Sequence, residues 1–200
     1  SMIAVTDKLA WYIARSRGIV AWATVTASIL WGLTLSSRLV RKRGVPAWLL
    51  DLHRYLGTLS LVFVLVHLGA LWADNFVYFG WRELLIPMDS PWKTGAVAWG
   101  IVAFYFLAAI QVTSWLMRHI KRKIWHAIHL SSIGLWITAT VHTFLAGQDR
   151  HNTLLQWFVI GSTVLVLQLT LFRVVTLRSA HKWALRPETP TKGSDRVSTG

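Results

Sequence analysis

The sequence predicts an all-α membrane protein, a bundle of five transmembrane helices. Three observations support this prediction. Of the 200 residues, 54% are hydrophobic and only 14% are charged, whereas about a quarter are charged in an average soluble domain. Five stretches free of acidic and basic residues are each long enough to cross a bilayer, which takes about 20 residues. The charges lie in short clusters between these stretches, as in membrane-protein loops, so the net charge of +13 does not indicate a nucleic-acid partner.

The five stretches define the predicted helices in order. They are Gly18–Ser37, Tyr55–Ala73, Thr94–Met117, Ile124–Gln148 and about Asn152–Phe172. Each must be helical, because hydrocarbon offers no hydrogen-bond partner to an open backbone group. Three prolines fall between the spans, where they interrupt no helix: Pro46, Pro87 and Pro91.

The distribution of lysine and arginine predicts the orientation of the helices. One side of the membrane receives 15 of the 21 basic residues, in segments 38–54, 118–123 and 173–196, and has a net charge of +12. The other side has a net charge of +1. Because cytoplasmic loops are enriched in basic residues, we expect the N-terminus outside and the C-terminus in the cytoplasm. The expected location is a prokaryotic plasma membrane.

Histidines in the second and fourth spans are the candidate functional residues, because ionisable side chains inside a bilayer are functional by default. His53 and His67 are 14 residues apart, which places them within about 40° on one helix face and about 21 Å apart along the axis. This spacing fits two stacked cofactors, one in each leaflet. Neutral imidazole is a haem ligand, and the absence of cysteine excludes thiolate ligation and iron–sulfur clusters.

The fourth span must supply the opposite ligands. His142 is the candidate for the outer level, and His126 and His129 are the candidates for the inner level. The rise from His129 to His142 is about 20 Å, close to the rise in the second span, whereas the rise from His126 is about 24 Å. On a regular helix, however, neither inner candidate shares a face with His142. We therefore predict a distortion of the helix between residues 126 and 144, where serine, glycine and threonine are frequent.

Two segments of the sequence resemble the ferric reductase-like transmembrane domain. They are "DLHRYLGTLSLVFVLVH" and "KIWHAIHLSSIGLWITATVH", with histidines 14 residues apart in the first and 13 apart in the second. The resemblance covers most of residues 10–172. It implies two b-type haems, the inner on His53 and His129 and the outer on His67 and His142. The family's tryptophan-to-histidine spacing corresponds to Trp125 and His129, which favours His129 over His126.

Two further residues are candidate haem contacts. Gly57 follows His53 by one helical turn, and its missing side chain could let a porphyrin lie against the helix. The alternative role is helix–helix contact. Arg54 could pair with an inner haem propionate, although its charge also fits the excess of basic residues expected on the cytoplasmic side.

Together these features predict a dihaem membrane domain over residues 10–172 and a basic cytoplasmic tail over 173–200, disordered from about residue 187. No glycine-rich nucleotide fingerprint occurs, so flavin is expected only in a separate partner protein. The predicted function is electron transfer from a cytoplasmic flavoprotein or quinol donor to an extracytoplasmic acceptor: ferric iron, oxygen or a redox protein. The chain would be the electron-transfer subunit of an oxidoreductase. The alternative is a haem-free membrane scaffold or small transporter.

Overall fold

The structure, a computed structural model, describes residues 2–36, 46–73, 80–147 and 152–184, with side chains from residue 18 to residue 176 of these ranges. Every regular element in the described residues is a helix. In chain order these helices are α1 (Met2–Ser36), α2 (Ala47–Trp72), α3 (Trp81–Leu85), α4 (Thr94–Trp115), α5 (Arg122–Leu130), α6 (Ser132–Ala146) and α7 (Thr153–Ala184). The predicted all-α class is confirmed.

Five segments of the described chain are long and apolar enough to cross a membrane, which confirms the predicted number of spans. They are Gly18–Ser36, Ala47–Trp72, Thr94–Trp115, Arg122–Ala146 and Thr153–Thr176. The fourth span consists of α5 and α6 together. The chain is thus a multi-pass membrane protein, and its orientation stays a prediction. The predicted disordered tail lies outside the described residues.

Helix α2 begins earlier than the hydropathy pattern predicts. The uncharged stretch starts at Tyr55, but the helix starts at Ala47, directly after Pro46. Asp51 and Arg54 therefore lie in its first turns, where their side chains are exposed and form an ion pair of 3.2 Å. Because such side chains can remain at the polar surface of the bilayer, charge does not end the helix there.

Helix α1 is central to the bundle. It contacts α2, α6 and α7, while α4 packs along α6. The buried apolar core combines residues of α1, α4, α6 and α7: Val25, Ile29, Leu33, Ala103, Leu107, Ile110, Leu135, Trp136 and Val166. Since α2 and α5 contribute no residue to this core, the histidines of these two helices lie at its periphery.

Two reciprocal hydrogen bonds join α1 to α6. The indole of Trp22 donates to the hydroxyl of Thr140 at 3.0 Å, and the indole of Trp136 donates to the hydroxyl of Thr26 at 3.2 Å. Each threonine is four residues after the tryptophan of its own helix and donates its proton to that tryptophan's carbonyl. All four polar groups are thereby paired between two antiparallel helices, and we call this set the Trp–Thr cross-link.

Replacement of Thr26 by valine should destabilise the protein by about 1 kcal/mol. Valine keeps the volume of threonine but leaves the buried Trp136 N–H without an acceptor, and an unpaired buried donor costs about 1–3 kcal/mol. Thermal unfolding in detergent measures the effect. The matched control is Thr58→Val, because the Thr58 hydroxyl is exposed and bonds only a carbonyl of its own helix. Equal losses from both substitutions would contradict a stabilising role of the cross-link.

Candidate functional site

The imidazole rings of His53 in α2 and His129 in α5 lie close together in an edge-to-face arrangement. Their centroids are 6.0 Å apart and their planes are inclined by 78°. Both residues are half-buried, whereas His126, one turn earlier in α5, is exposed. The structure thus brings His53 together with His129, the inner candidate that the rise along the helix favours.

A third helix fixes the orientation of the His53 ring. Its Nδ1 lies 3.1 Å from the main-chain carbonyl oxygen of Ser28 in α1. Because a carbonyl oxygen can only accept, Nδ1 must carry the proton. The neutral ring then keeps its lone pair on Nε2, which is the tautomer that a hydrogen bond from Nδ1 to a carbonyl or carboxylate commonly maintains in metal-binding histidines.

The His129 ring is held in a different way. It stacks on the indole of Trp125, one turn earlier in α5, with centroids 5.0 Å apart and planes inclined by 22°. Its Nδ1 is buried, as is the indole nitrogen of Trp125, and neither has a hydrogen-bond partner among the described residues. Aromatic stacking therefore orients this imidazole without fixing which ring nitrogen carries the proton.

His67 and His142 lie against two other helices. The ring of His67 contacts α1 beside Gly18, with Cε1 3.4 Å from the position that a β-carbon would take on that glycine. The Nδ1 of His142 lies 2.7 Å from the carbonyl oxygen of Ala96 in α4. His142 thus has the same tautomer as His53, with the lone pair on Nε2. His67 and His142 lie farther along α2 and the fourth span than His53 and His129 do.

The predicted distortion between the histidines of the fourth span is confirmed. Ser131 separates α5 from α6, and its ψ is −3°, whereas an α-helix has about −42°. Its amide bonds the carbonyl of Ile128 at 3.1 Å, three residues back, as in a 3₁₀ turn. Its hydroxyl donates to the same carbonyl at 2.6 Å.

This tight turn changes the angular relation of His129 and His142. Thirteen residues of regular helix leave the two histidines about 140° from alignment. A 3₁₀ turn winds by about 120° per residue instead of 100°, so one such turn removes about 60° of that difference. The two rings have different neighbours: the His129 ring lies beside His53 of α2, and Nδ1 of His142 lies beside the Ala96 carbonyl of α4.

The two predicted haem contacts have protein neighbours. Arg54 is exposed and pairs with Asp51 at 3.2 Å. Gly57 lies against the side chain of Gln111 from α4, whose Nε2 is 3.1 Å from the position that a β-carbon would take. The contact at Gly57 is thus of the helix–helix kind that the sequence left as an alternative.

Sequence reasoning missed three parts of this site. Ser28 and Ala96 act through their main-chain carbonyls, so no side-chain pattern identifies them. Gln111 did leave a signal, because it is the one amide side chain in the span Thr94–Trp115. Its side chain is buried, and its Nε2 has no hydrogen-bond partner among the described residues.

This donor set suits haem. A porphyrin supplies four nitrogen ligands of its own and needs only axial ligands from the protein. His53 and His142 are fixed with Nε2 free, and the ring of His129 is near that of His53. By contrast, the described part of the chain contains no group of three or more histidine or carboxylate side chains placed to hold a metal ion.

Comparison with known proteins yields one match. Residues 17–140 match the family described as ferric reductase like transmembrane component. The matched range contains His53, His67 and His129 and ends two residues before His142. No curated protein and no solved structure matches this chain.

Replacement of Gln111 by methionine should stabilise the haem-free protein by about 1 kcal/mol. Methionine has a similar shape and removes a buried N–H that lacks a partner, a defect that costs about 1–3 kcal/mol. The measurement is thermal unfolding in detergent after expression under haem limitation. Gln156→Met is the control, because Gln156 in α7 is half-exposed and should gain nothing. A lower stability of Gln111→Met would show that the amide is paired after all.

Proposed function

Because this chain belongs to the family of ferric reductase-like transmembrane components, we propose that it is a dihaem b-type cytochrome. Family membership and the five apolar helices give it a role in electron transfer at a membrane. The observation that carries the proposal of haem ligation is the pair formed by His53 and His129. Two imidazole rings from different helices have their centroids 6.0 Å apart, in a chain without cysteine.

The inner haem is assigned to His53 and His129. The Ser28 carbonyl holds the proton of His53 on Nδ1, so Nε2 is the ligating atom of that residue. Trp125 supports the ring of His129 from behind and shields it from water. Arg54, next to His53 in the chain, is the proposed partner of an inner propionate, since its exposed ion pair with Asp51 is weak and exchangeable. Gly57, one turn farther along α2, remains a proposed porphyrin contact that would be shared with Gln111.

The outer haem is assigned to His67 and His142. His67 follows His53 by 14 residues on the same helix, and His142 follows His129 by 13, so both pairs are separated by similar rises. The Ala96 carbonyl holds the proton of His142 on Nδ1, as the Ser28 carbonyl does for His53. Each haem would thus have one axial ligand whose protonation state the main chain determines.

When bound, the haems supply reversible one-electron oxidation and reduction of iron. The chain would supply the imidazole ligands, their orientation and apolar surroundings. A hydrogen bond from Nδ1 to a carbonyl raises the basicity of Nε2 and so stabilises ferric iron. Apolar surroundings have the opposite effect, because they disfavour the additional positive charge of ferric iron. The reduction potential of each haem would reflect both effects.

Electrons are proposed to enter on the cytoplasmic side and to leave outside. The basic side chains before and in the first turn of α5 are exposed, as expected of a cytoplasmic loop: Arg118, Lys121, Arg122 and Lys123. The same loop precedes Trp125 and His129, so the inner haem is the entry point. The proposed donor is a separate flavoprotein or quinol, and the acceptor is ferric iron, oxygen or an extracytoplasmic redox protein. A prokaryotic plasma membrane is the proposed location.

Substitution of either histidine of a pair should remove the haem assigned to that pair. We expect His53→Ala or His129→Ala to abolish the inner haem, and His67→Ala or His142→Ala to abolish the outer haem, because one imidazole holds b-type haem poorly. The measurement is an optical redox titration of purified protein with haem quantification. His119→Ala is the control, since His119 is exposed between α4 and α5 and should retain both haems. A purified protein without Soret absorption would overturn the proposal and favour a haem-free scaffold or transporter.

The sidedness of haem reduction tests the proposed route. In everted membrane vesicles, a purified flavin reductase with NADPH should reduce the haems, whereas sealed right-side-out vesicles should show little reduction, because the entry haem faces the cytoplasm. A quinol donor instead predicts reduction by a membrane-permeant quinol in both preparations. Reduction by the flavin reductase only in right-side-out vesicles would contradict the orientation.

A further inference from the structure

Two of the proposed ligands meet a neighbouring helix in the same way. His53 donates from Nδ1 to the carbonyl of Ser28, and its ring lies against Gly32, four residues later in α1. His142 donates from Nδ1 to the carbonyl of Ala96, and its ring lies against Gly100, four residues later in α4. A carbonyl and a glycine four residues apart thus recur on two different helices, facing two different histidines.

Helix geometry explains why the two features occur together. In an α-helix the carbonyl of one residue accepts the amide N–H of the residue four positions later. The side chain of that later residue therefore begins beside the same carbonyl. A planar ring that donates to this oxygen from beside the later residue needs the space of that side chain, and glycine is the one residue that lacks a β-carbon.

The distances show how closely each ring approaches its glycine. A β-carbon on Gly100 would lie 2.7 Å from both Cε1 and Nδ1 of His142. A β-carbon on Gly32 would lie 2.9 Å from Cε1 of His53. Carbon atoms in contact are normally about 3.5–4.0 Å apart. Both imidazoles therefore occupy space that any other residue would fill. At Gly18 the corresponding distance to His67 is 3.4 Å, which is close to ordinary contact.

We propose that Gly32 and Gly100 are positioning residues for the axial ligands, each forming with the carbonyl four residues earlier a carbonyl–glycine site for one imidazole. This inference rests on the proposed haem-binding function. Each site holds the proton on Nδ1 and fixes the direction of Nε2. The site of Ser28 and Gly32 serves the inner haem, and the site of Ala96 and Gly100 serves the outer haem.

The inference predicts a graded and haem-specific series of alanine substitutions. Gly100→Ala should lose the outer haem or shift its Soret band and low-spin electron paramagnetic resonance signal, while the inner haem is retained. Gly32→Ala should affect the inner haem alone, and less strongly. Gly18→Ala should have little effect. Gly95→Ala in α4 and Gly69→Ala in α2 are matched controls, because a β-carbon at either position meets nothing within 4 Å. Wild-type spectra from Gly100→Ala would overturn the inference.

Combined substitutions identify which haem is lost. In the Gly100→Ala background, His53→Ala should remove the remaining haem, whereas His67→Ala should cause no further loss. The opposite result would assign Gly100 to the inner haem and contradict the inference.

A double-mutant cycle measured on the haem-free protein tests this inference independently of the proposed function. Gly100→Ala should lower the Tm of the haem-free protein in detergent, because the ring of His142 is displaced. In the His142→Ala background the same substitution should not lower the Tm, because no ring remains to be displaced. If Gly100→Ala alone fails to fold, recovery in the double variant supports the inference equally. An undiminished loss in the double variant would overturn it, and a wild-type protein without haem would overturn only the proposed function.

Discussion

The hydrogen bond from a histidine Nδ1 to a main-chain carbonyl of another helix is the interaction on which the site depends. It occurs between α2 and α1 at His53 and between α6 and α4 at His142. In a membrane the polar nitrogen needs a partner, because no water replaces a missing one. The two helices must approach closely for Nδ1 to reach the carbonyl. Once Nδ1 carries the proton in this hydrogen bond, the lone pair on Nε2 is left to bind a metal.

The remaining structure keeps those helices in place. The Trp–Thr cross-link joins α1 to α6 between the levels of the two proposed haems, and it pairs every polar group that it buries. One carbonyl–glycine site lies on α1 and the other on α4. Because α4 packs against α6, the cross-link between α1 and α6 connects the helices that carry the two sites. The separation of the two histidine levels follows from the spacing along α2 and along the fourth span, whereas the azimuth of His129 depends on the turn at Ser131.

Unpaired polar atoms are frequent around the proposed inner haem. His129, Trp125 and Gln111 each have a buried nitrogen without a partner among the described residues. Proteins depart from full pairing mainly at functional sites, at some cost in stability. These unpaired nitrogens contrast with the Trp–Thr cross-link, in which all four polar groups are paired.

Hydropathy and residue spacing alone predict the class, the number of spans and the relative depths of the histidines. Hydropathy fixes span length because the bilayer has a fixed thickness, and histidine spacing fixes depth because the helical rise is constant. The same arithmetic exposed the mismatch between His129 and His142 and so predicted a distorted turn. The position of that turn at Ser131 is visible only in the folded protein, as is the contact of Gln111 with Gly57. The same holds for the residues that contact the histidines from neighbouring helices: Ser28, Gly32, Ala96 and Gly100. These four act through a main-chain carbonyl or a missing side chain, and such contributions are recognisable only once the partner helix is in place.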